Sequence, residues 1–320
     1  MAITSSRMPD ADAITYKEGF VKRYSSLTDW DAFSEINKRY LRKSIRVNTL
    51  KITVKELLPR LNAQGWMTEQ IPWCAEGFFV EHDQGRLDIG NTLEHALGYI
   101  YVQEAASMIP PIALGVKPGS TALDLCAAPG SKTSQMAAMM NNTGALFAND
   151  TTPIRLAALG INLQRCGVIN VCVTQMVGQR FLKLGPQFDY VLCDAPCSGT
   201  GTIRKSLKTL SIWNPKLIGS MAFVQKQLIK VAHETTKSGG TFVYSTCSLE
   251  PEENEEVVSW LLEHVSDVEL EEINLPGLKK GKPVLSFEGK TYHPDVKKTL
   301  RIWPQDNDTE GFFVAKFKKK

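Results

Sequence analysis

The segment CDAPCSG (193–199) closes an apolar run with Cys193 and Cys197 flanking Asp194 and Pro196. A second stretch, YSTCSLEPEENEEVV (244–258), places Cys247 after another apolar run. Residues of these types admit a metal knuckle, a buried strand end, or a covalent site. In a covalent site one thiolate attacks an electrophile while a second thiol and a carboxylate handle protons. Zinc is disfavoured, because there is no CxxC pair and His82, His95, His233, His264 and His293 lie near none of the cysteines. No metal is therefore expected. Seven cysteines without framework spacing suit reduced thiols in a reducing compartment. Cys74, Cys126, Cys166, Cys172 and Cys193 read as small buried hydrophobes.

Both cysteine segments need a scaffold that brings them together. From Thr121 onward, apolar strands alternate with helices. The strands are TALDLCA (121–127), GALFAND (144–150), NVCVTQ (170–175), FDYVLCDA (188–195) and GTFVYSTC (240–247). Helical stretches fall near 131–140, 153–165, 215–237 and 252–264. Continuous apolar runs such as Tyr190–Cys193 predict strands covered on both faces. The order predicts an α/β fold with a doubly wound, mostly parallel sheet. Neighbouring strands bring their carboxyl ends to one edge, so Asp194, Cys197 and Cys247 are expected in one cleft. A late strand is expected in TEGFFVAKFKKK (309–320), and an exposed loop or hairpin in 275–294.

Residues 1–95 read as a small α/β region, and 96–320 as the catalytic domain. Its elements are mixed-charge helical sequence at 14–42, a strand in SIRVNTLK (44–51), an amphipathic helix closed by Gly65, and a strand in GFFVEH (77–82).

The loop in LDLCAAPGSKTSQM (123–136) joins the first parallel strand to a helix, the expected ligand position. Small residues let backbone approach a ligand, and the helix start offers unpaired amides. Leu125 stands where a Walker loop needs its first glycine, and Gly130 is the loop's only glycine, so nucleotide phosphates fit poorly. Asp150 ends the next strand, where a carboxylate can take ribose hydroxyls. Its bland reading is a solvated helix cap. Together, loop and carboxylate suit a nucleoside without phosphates, and S-adenosyl-L-methionine is the common ligand of that kind.

LDLCAAPGSK, DAPCSGTG and YSTCSLEPEENE resemble the signature motifs of the Sun-type RNA 5-methylcytosine methyltransferases, supported by IRVNTL (45–50), QEAAS (103–107) and EGFFVAKF (310–317). The resemblance runs in order from residue 45 to the C-terminus and implies a Rossmann-like methyltransferase fold using S-adenosyl-L-methionine. It further implies that Cys247 adds to carbon 6 of cytosine, that Cys197 helps remove the carbon 5 proton, and that Asp194 hydrogen-bonds the base near nitrogen 3. Lys132 would sit between cofactor and base. Cofactor contacts would come from Cys126, Ala127, Ala128, Pro129, Gly130, Ser131 and Lys132, from Asp150 and Arg155, and from Asp194. The family loop commonly ends Gly-Gly-Lys, here Gly130-Ser131-Lys132. Val177 stands where the family usually has an aspartate near the adenine amino group, leaving Gln175 or backbone for that role. The chemistry asks for such parts: carbon 5 of cytosine becomes nucleophilic enough only through a covalent adduct. Methylation of an exocyclic amine would need no cysteine nucleophile.

Composition bounds the partners. Hydrophobic residues make up 43% of 320 residues and the net charge is +3, so nucleic-acid binding must rest on local patches. One candidate strip is Arg39, Arg42, Lys43 and Arg46 with Arg204, Lys205 and Lys208, against the bland reading of a solvated charged face. No signal peptide or membrane-length apolar run is seen, so a cytoplasmic, monomeric enzyme acting on unpaired or extruded cytosines of tRNA or rRNA is expected, tRNA first. Two other readings stay open: a methyltransferase of a non-RNA acceptor, and a non-catalytic RNA-binding assembly factor.

Overall fold

Apolar residues alternate between the two faces of the main sheet, and this alternation builds the molecule. In the computed structural model, which describes residues 3–185 and 187–320, Ala122, Leu192, Val243 and Val314 enter one core cluster. Their chain neighbours Leu123, Val191, Phe242 and Phe313 enter the other. Each face is therefore covered by its own layer, as expected of a buried parallel sheet.

Four strands lie in the N-terminal part: β1 (Ser44–Val47), β2 (Trp66–Gln70), β3 (Gly77–His82) and β4 (Ile100–Val102). They form an antiparallel sheet in the order β2-β3-β1-β4. The helix Val54–Asn62 starts on a capping box of Thr53 and Glu56 and buries Leu57 and Leu61. Strands β2 and β4 were not expected. Because β4 pairs with β1, this sheet reaches past the edge expected near residue 95. The strand expected at 44–51 stops at Val47. Asn48 instead donates through Nδ2 to the carbonyls of Gly98 and Cys166, both at 2.8 Å. The helices Glu18–Leu27 and Trp30–Ile36 pack away from this sheet. Phe20, Tyr24 and Phe33 share a cluster with Ile203, Trp213, Leu249 and Trp303, against the segments that follow the two cysteine motifs.

The large sheet contains β5 (Thr121–Asp124), β6 (Ala145–Asp150), β7 (Val171–Gln175), β8 (Phe188–Asp194), β9 (Thr236–Thr246) and β10 (Val268–Glu271). A two-residue hairpin of β11 (Ser286–Phe287) and β12 (Lys290–Thr291) precedes β13 (Leu300–Ile302) and β14 (Phe312–Lys319). The order is β10-β14-β9-β8-β5-β6-β7, with β13 also pairing β14. Pairs among β5 to β9 are parallel, and β14 is antiparallel to β9. This is the doubly wound, mostly parallel α/β sheet expected, and the strand order reverses at β5, flanked by β6 and β8.

Two expectations fail at the edges. Cys172 is exposed, because β7 is the last strand and both of its faces are only partly covered. The helix expected from 252 begins at Glu255, so Glu252 and Glu253 are turn residues whose carboxylates serve other partners. Among the described residues no helix is long and apolar enough to cross a membrane, and no group of three or more His, Cys, Asp or Glu could hold a metal ion.

Two residues before β14, Glu310 is buried and its amide donates to Glu104 Oε1 at 3.0 Å. Burial first, then the Glu104 charge, pushes the Glu310 carboxyl up to about 8. A carboxyl that binds its proton more tightly when folded adds stability below its unfolded range, and that contribution is lost as pH rises toward 8. Glu310→Gln, neutral at every pH, should match the wild type near pH 4 and exceed it by at least about 1 kcal/mol near pH 9. Thermal unfolding at both pH values checks this; equal midpoints at pH 9 would reject it.

Candidate active site

A cavity of about 490 Å³ opens at the carboxyl ends of the central strands, within the usual size of small-molecule sites. It lies where the strand order reverses, as open α/β sheets predict. Its lining includes Cys126, Ala128, Asp150, Arg155, Asp194, Cys197 and Cys247. Ala127, Pro129, Gly130, Ser131 and Lys132 do not line it. They shape the loop instead: Gly130 has φ 105° and leads into the helix Ser131–Met139. Thr133 Oγ1 donates to Asp124 Oδ2 at 2.7 Å, tying that helix to β5. Burial pushes the Asp124 carboxyl up to about 7. A larger groove of about 850 Å³ beside Trp213 and Phe287 lies away from these strand ends and holds neither cysteine.

The two thiols meet. Cys197 Sγ and Cys247 Sγ are 3.2 Å apart, although one follows β8 and the other follows β9. The hydrogen bond with Cys247 and burial push the Cys197 thiol well up, with the charges of Cys247 and Glu253 adding to it. Gly201 allows this approach of loops. Its amide donates to the Cys247 carbonyl and its carbonyl accepts from the Gly311 amide, both at 2.9 Å. A Cβ there would fall 2.1 Å from the Gly311 oxygen.

Asp194 ends β8 beside them. Its Oδ2 accepts from Lys132 Nζ at 2.7 Å and its Oδ1 from Ser245 Oγ at 2.7 Å. Burial works against the Lys132 ammonium, but the Asp194 carboxylate outweighs it and the pKa is raised. Asp150, at the end of β6, accepts from the Ala128 amide at 3.3 Å and the Thr152 amide at 3.2 Å. Arg155 pairs with it at 3.2 Å and donates to the Ala128 carbonyl at 2.7 Å. Val177 lines the cavity together with Gln179. Gln175, expected as a substitute acceptor, reaches only the Thr151 carbonyl at 3.5 Å and is not part of the lining.

Sequence reasoning missed Asn149, whose Nδ2 donates to the Leu125 and Met176 carbonyls at 3.1 and 3.0 Å. It ties the ends of β5 and β6 to the segment after β7, at the cavity wall. It also missed Ser245 and Glu253. The neighbouring acidic run EPEENEE was the available signal, but nothing local distinguishes Glu253 within it.

Most of the expected phosphate strip is structural. Arg204 is buried and donates to the carbonyls of Arg39, Tyr40 and Thr309 at 3.2, 2.8 and 3.2 Å, pairing with Asp308 at 2.6 Å. Arg46 is buried and donates to Gln103 Oε1 and Ser134 Oγ, both at 2.8 Å. Arg42 caps the Ile3 and Asn307 carbonyls, and Lys43 donates to the Leu87 carbonyl. Lys205 and Lys208 are exposed. Arg204→Ala should therefore cost about 3 kcal/mol of stability, since it orphans three carbonyls and leaves Asp308 with Arg42 alone. Lys205→Ala should leave stability within about 0.5 kcal/mol. Urea unfolding separates the two, and an Arg204→Ala protein as stable as wild type would refute the assignment.

A doubly wound sheet with a cavity at its reversal point, a loop that fits phosphates poorly and a strand-two carboxylate are the features of a Rossmann-like methyltransferase fold. Family models agree over nearly the whole chain: residues 111–318 match 16S rRNA methyltransferase RsmB/F, and residues 17–105 match the N-terminal domain of 16S rRNA methyltransferase RsmF. The chain belongs to this Sun-type family of RNA (cytosine-5)-methyltransferases. It is 45% identical, over 95% of its length and 99% of the relative's, to the tRNA (cytosine(49)-C(5))-methyltransferase of Pyrococcus abyssi. It is 42% identical, over all of its length, to the Ribosomal RNA small subunit methyltransferase F of an Escherichia coli strain, but spans only 65% of that protein. A methyltransferase homolog from Pyrococcus horikoshii superposes with TM-score 0.85 at 38% identity, covering 98% of this chain and 100% of that one.

Proposed function

We propose that this protein transfers a methyl group from S-adenosyl-L-methionine to carbon 5 of an unpaired cytosine in RNA. The single observation that carries this reading is the 3.2 Å approach of Cys197 and Cys247 beside Asp194, a grouping that simple amine methylation does not require. When bound, S-adenosyl-L-methionine supplies the electrophilic methyl carbon. The residues fit it. Cys126 and Ala128 give a small-residue wall, and Asp150, which already accepts from the Ala128 and Thr152 amides, brings its carboxylate to the cavity lining where ribose hydroxyls would sit. Gln179 adds a side-chain amide to the cavity wall beside Val177.

Cys247 as thiolate adds to carbon 6 of the base, forming a C–S bond and raising electron density at carbon 5. Asp194, held by Lys132 and Ser245, faces the polar edge of the ring and accepts from its exocyclic amine, while the Lys132 ammonium behind it offsets the negative charge that develops as the thiolate adds. After methylation Cys197, acting as its thiolate, receives the carbon 5 proton, the electrons of the broken C–H bond expel the sulfur at carbon 6, and Cys247 leaves as thiolate. Burial and the neighbouring sulfur favour the protonated form of Cys197, so its thiolate, once formed, is a strong base for this step.

We further propose tRNA as the first RNA to test, because the relative matched over 99% of its own length is the tRNA enzyme. Lys205 and Lys208 would supply phosphate contacts on the exposed rim, with residues up to about 102 as an RNA-docking unit. Incubation of RNA with methyl-labelled S-adenosyl-L-methionine should place label in 5-methylcytosine after nuclease digestion and mass spectrometry. Label elsewhere, or none from tRNA and rRNA alike, would overturn the proposal.

A further inference from the structure

We infer that Glu253 is a positioning residue, a carboxylate clamp that holds the two cysteine loops at their working separation. This rests on the covalent reading of Cys197 and Cys247. Glu253 sits in the Pro251–Asn254 turn and is fully buried. Its Oε2 accepts from the Ser198 amide at 2.9 Å and from Gln225 Nε2 at 2.8 Å. Its Oε1 accepts from Ser248 Oγ at 2.9 Å and from Ser198 Oγ. Ser198 directly follows Cys197, and Ser248 directly follows Cys247. One side chain thus binds the neighbours of both sulfurs. Gln225 Nε2 also donates to the Pro196 carbonyl at 2.8 Å, gripping the residue before Cys197. The clamp is itself anchored to the sheet, since Tyr244 of β9 donates its hydroxyl to the Glu253 carbonyl at 2.5 Å.

The chemistry of this bracket requires a carboxylate. All four partners donate, and only a carboxylate accepts on both oxygens. A glutamine of the same shape has one acceptor oxygen. Its N–H groups must face either the Ser198 amide and Gln225 Nε2, which cannot accept, or the two serine hydroxyls, which must then turn from their present orientation to accept. No cation pairs with Glu253 among the described residues, so neutral donors alone hold it. The two thiols come from loops of different strands, with no covalent link between them. Their encounter therefore depends on what ties the loops, and displacement by about 1 Å can cost about 100-fold in rate.

The test is Glu253→Gln in the full chain, with two readouts. Turnover on RNA should fall by about 100-fold with KM for RNA little changed, because Glu253 does not line the cavity. Phenylarsine oxide, which bridges two closely spaced thiols, should bind the variant several-fold more weakly than wild type, with no RNA present. Ser198→Thr, which keeps the hydroxyl, should retain both properties, whereas Ser198→Ala with Ser248→Ala should lose part of each. Unchanged turnover and arsenical binding in Glu253→Gln would overturn the clamp. If that variant does not fold, the same result in the double serine variant would overturn it. Failure of the wild type to methylate RNA would overturn the proposed reaction instead, and arsenical binding would then decide the clamp alone.

Discussion

Cys197→Ala is expected to accumulate a covalent RNA–protein conjugate that survives denaturing electrophoresis, while Cys247→Ala forms none and loses turnover by about 10⁴-fold or more. The geometry makes these outcomes asymmetric although the sulfurs are 3.2 Å apart. Removing Cys247 removes the group that raises the electron density of the ring, so no later step begins. Removing Cys197 leaves addition and methyl transfer intact but deprives the adduct of its proton acceptor, and the C–S bond persists. The double variant should behave as Cys247→Ala alone, since the two residues act in sequence. A conjugate persisting without Cys247 would reverse the assignment of the two thiols.

The second large effect concerns the Lys132–Asp194 pair, 2.7 Å apart with side chains 12% and 25% exposed. Lys132→Met should cost about 2–3 kcal/mol of stability, because a largely desolvated carboxylate is left with Ser245 alone. Asp194→Asn should cost a similar amount by stranding the ammonium. Each should also lower turnover by about 10²–10³-fold, since the pair would face the ring where charge develops. The Lys132→Met/Asp194→Asn variant should recover part of the stability while remaining inactive, because the two costs share one interaction. Urea unfolding and initial rates of the four proteins measure both quantities. If neither single variant loses more than about 0.5 kcal/mol, the pair is solvated and this account of it is wrong.

Much of the site was legible in the chain. Apolar runs in FDYVLCDA (188–195) and GTFVYSTC (240–247) reveal buried strands through their residue types alone. The rule that parallel strands share a carboxyl edge then brings Asp194, Cys197 and Cys247 together without any knowledge of contacts. What the chain concealed was which charges are buried. Arg204 and Lys205 are adjacent and equally basic, yet one is enclosed by the carbonyls of Arg39, Tyr40 and Thr309 and the other is exposed. Cys172 looked like Cys193, and only its place on the last strand separates them. Glu253 looked like Glu252, but one clamps the cysteine loops and the other pairs with Arg23.

Residue order alone was enough to lay out the central strands β5 to β9 and β14 and to single out the loop after β5 and the two thiols and carboxylate as candidates, because periodicity and side-chain chemistry are properties of short segments. The assignment of each charge to scaffold or surface, the 3.2 Å meeting of the sulfurs and the carboxylate that ties their loops arose only on folding. Burial and hydrogen-bond partnership depend on segments far apart in the chain, which no local pattern records.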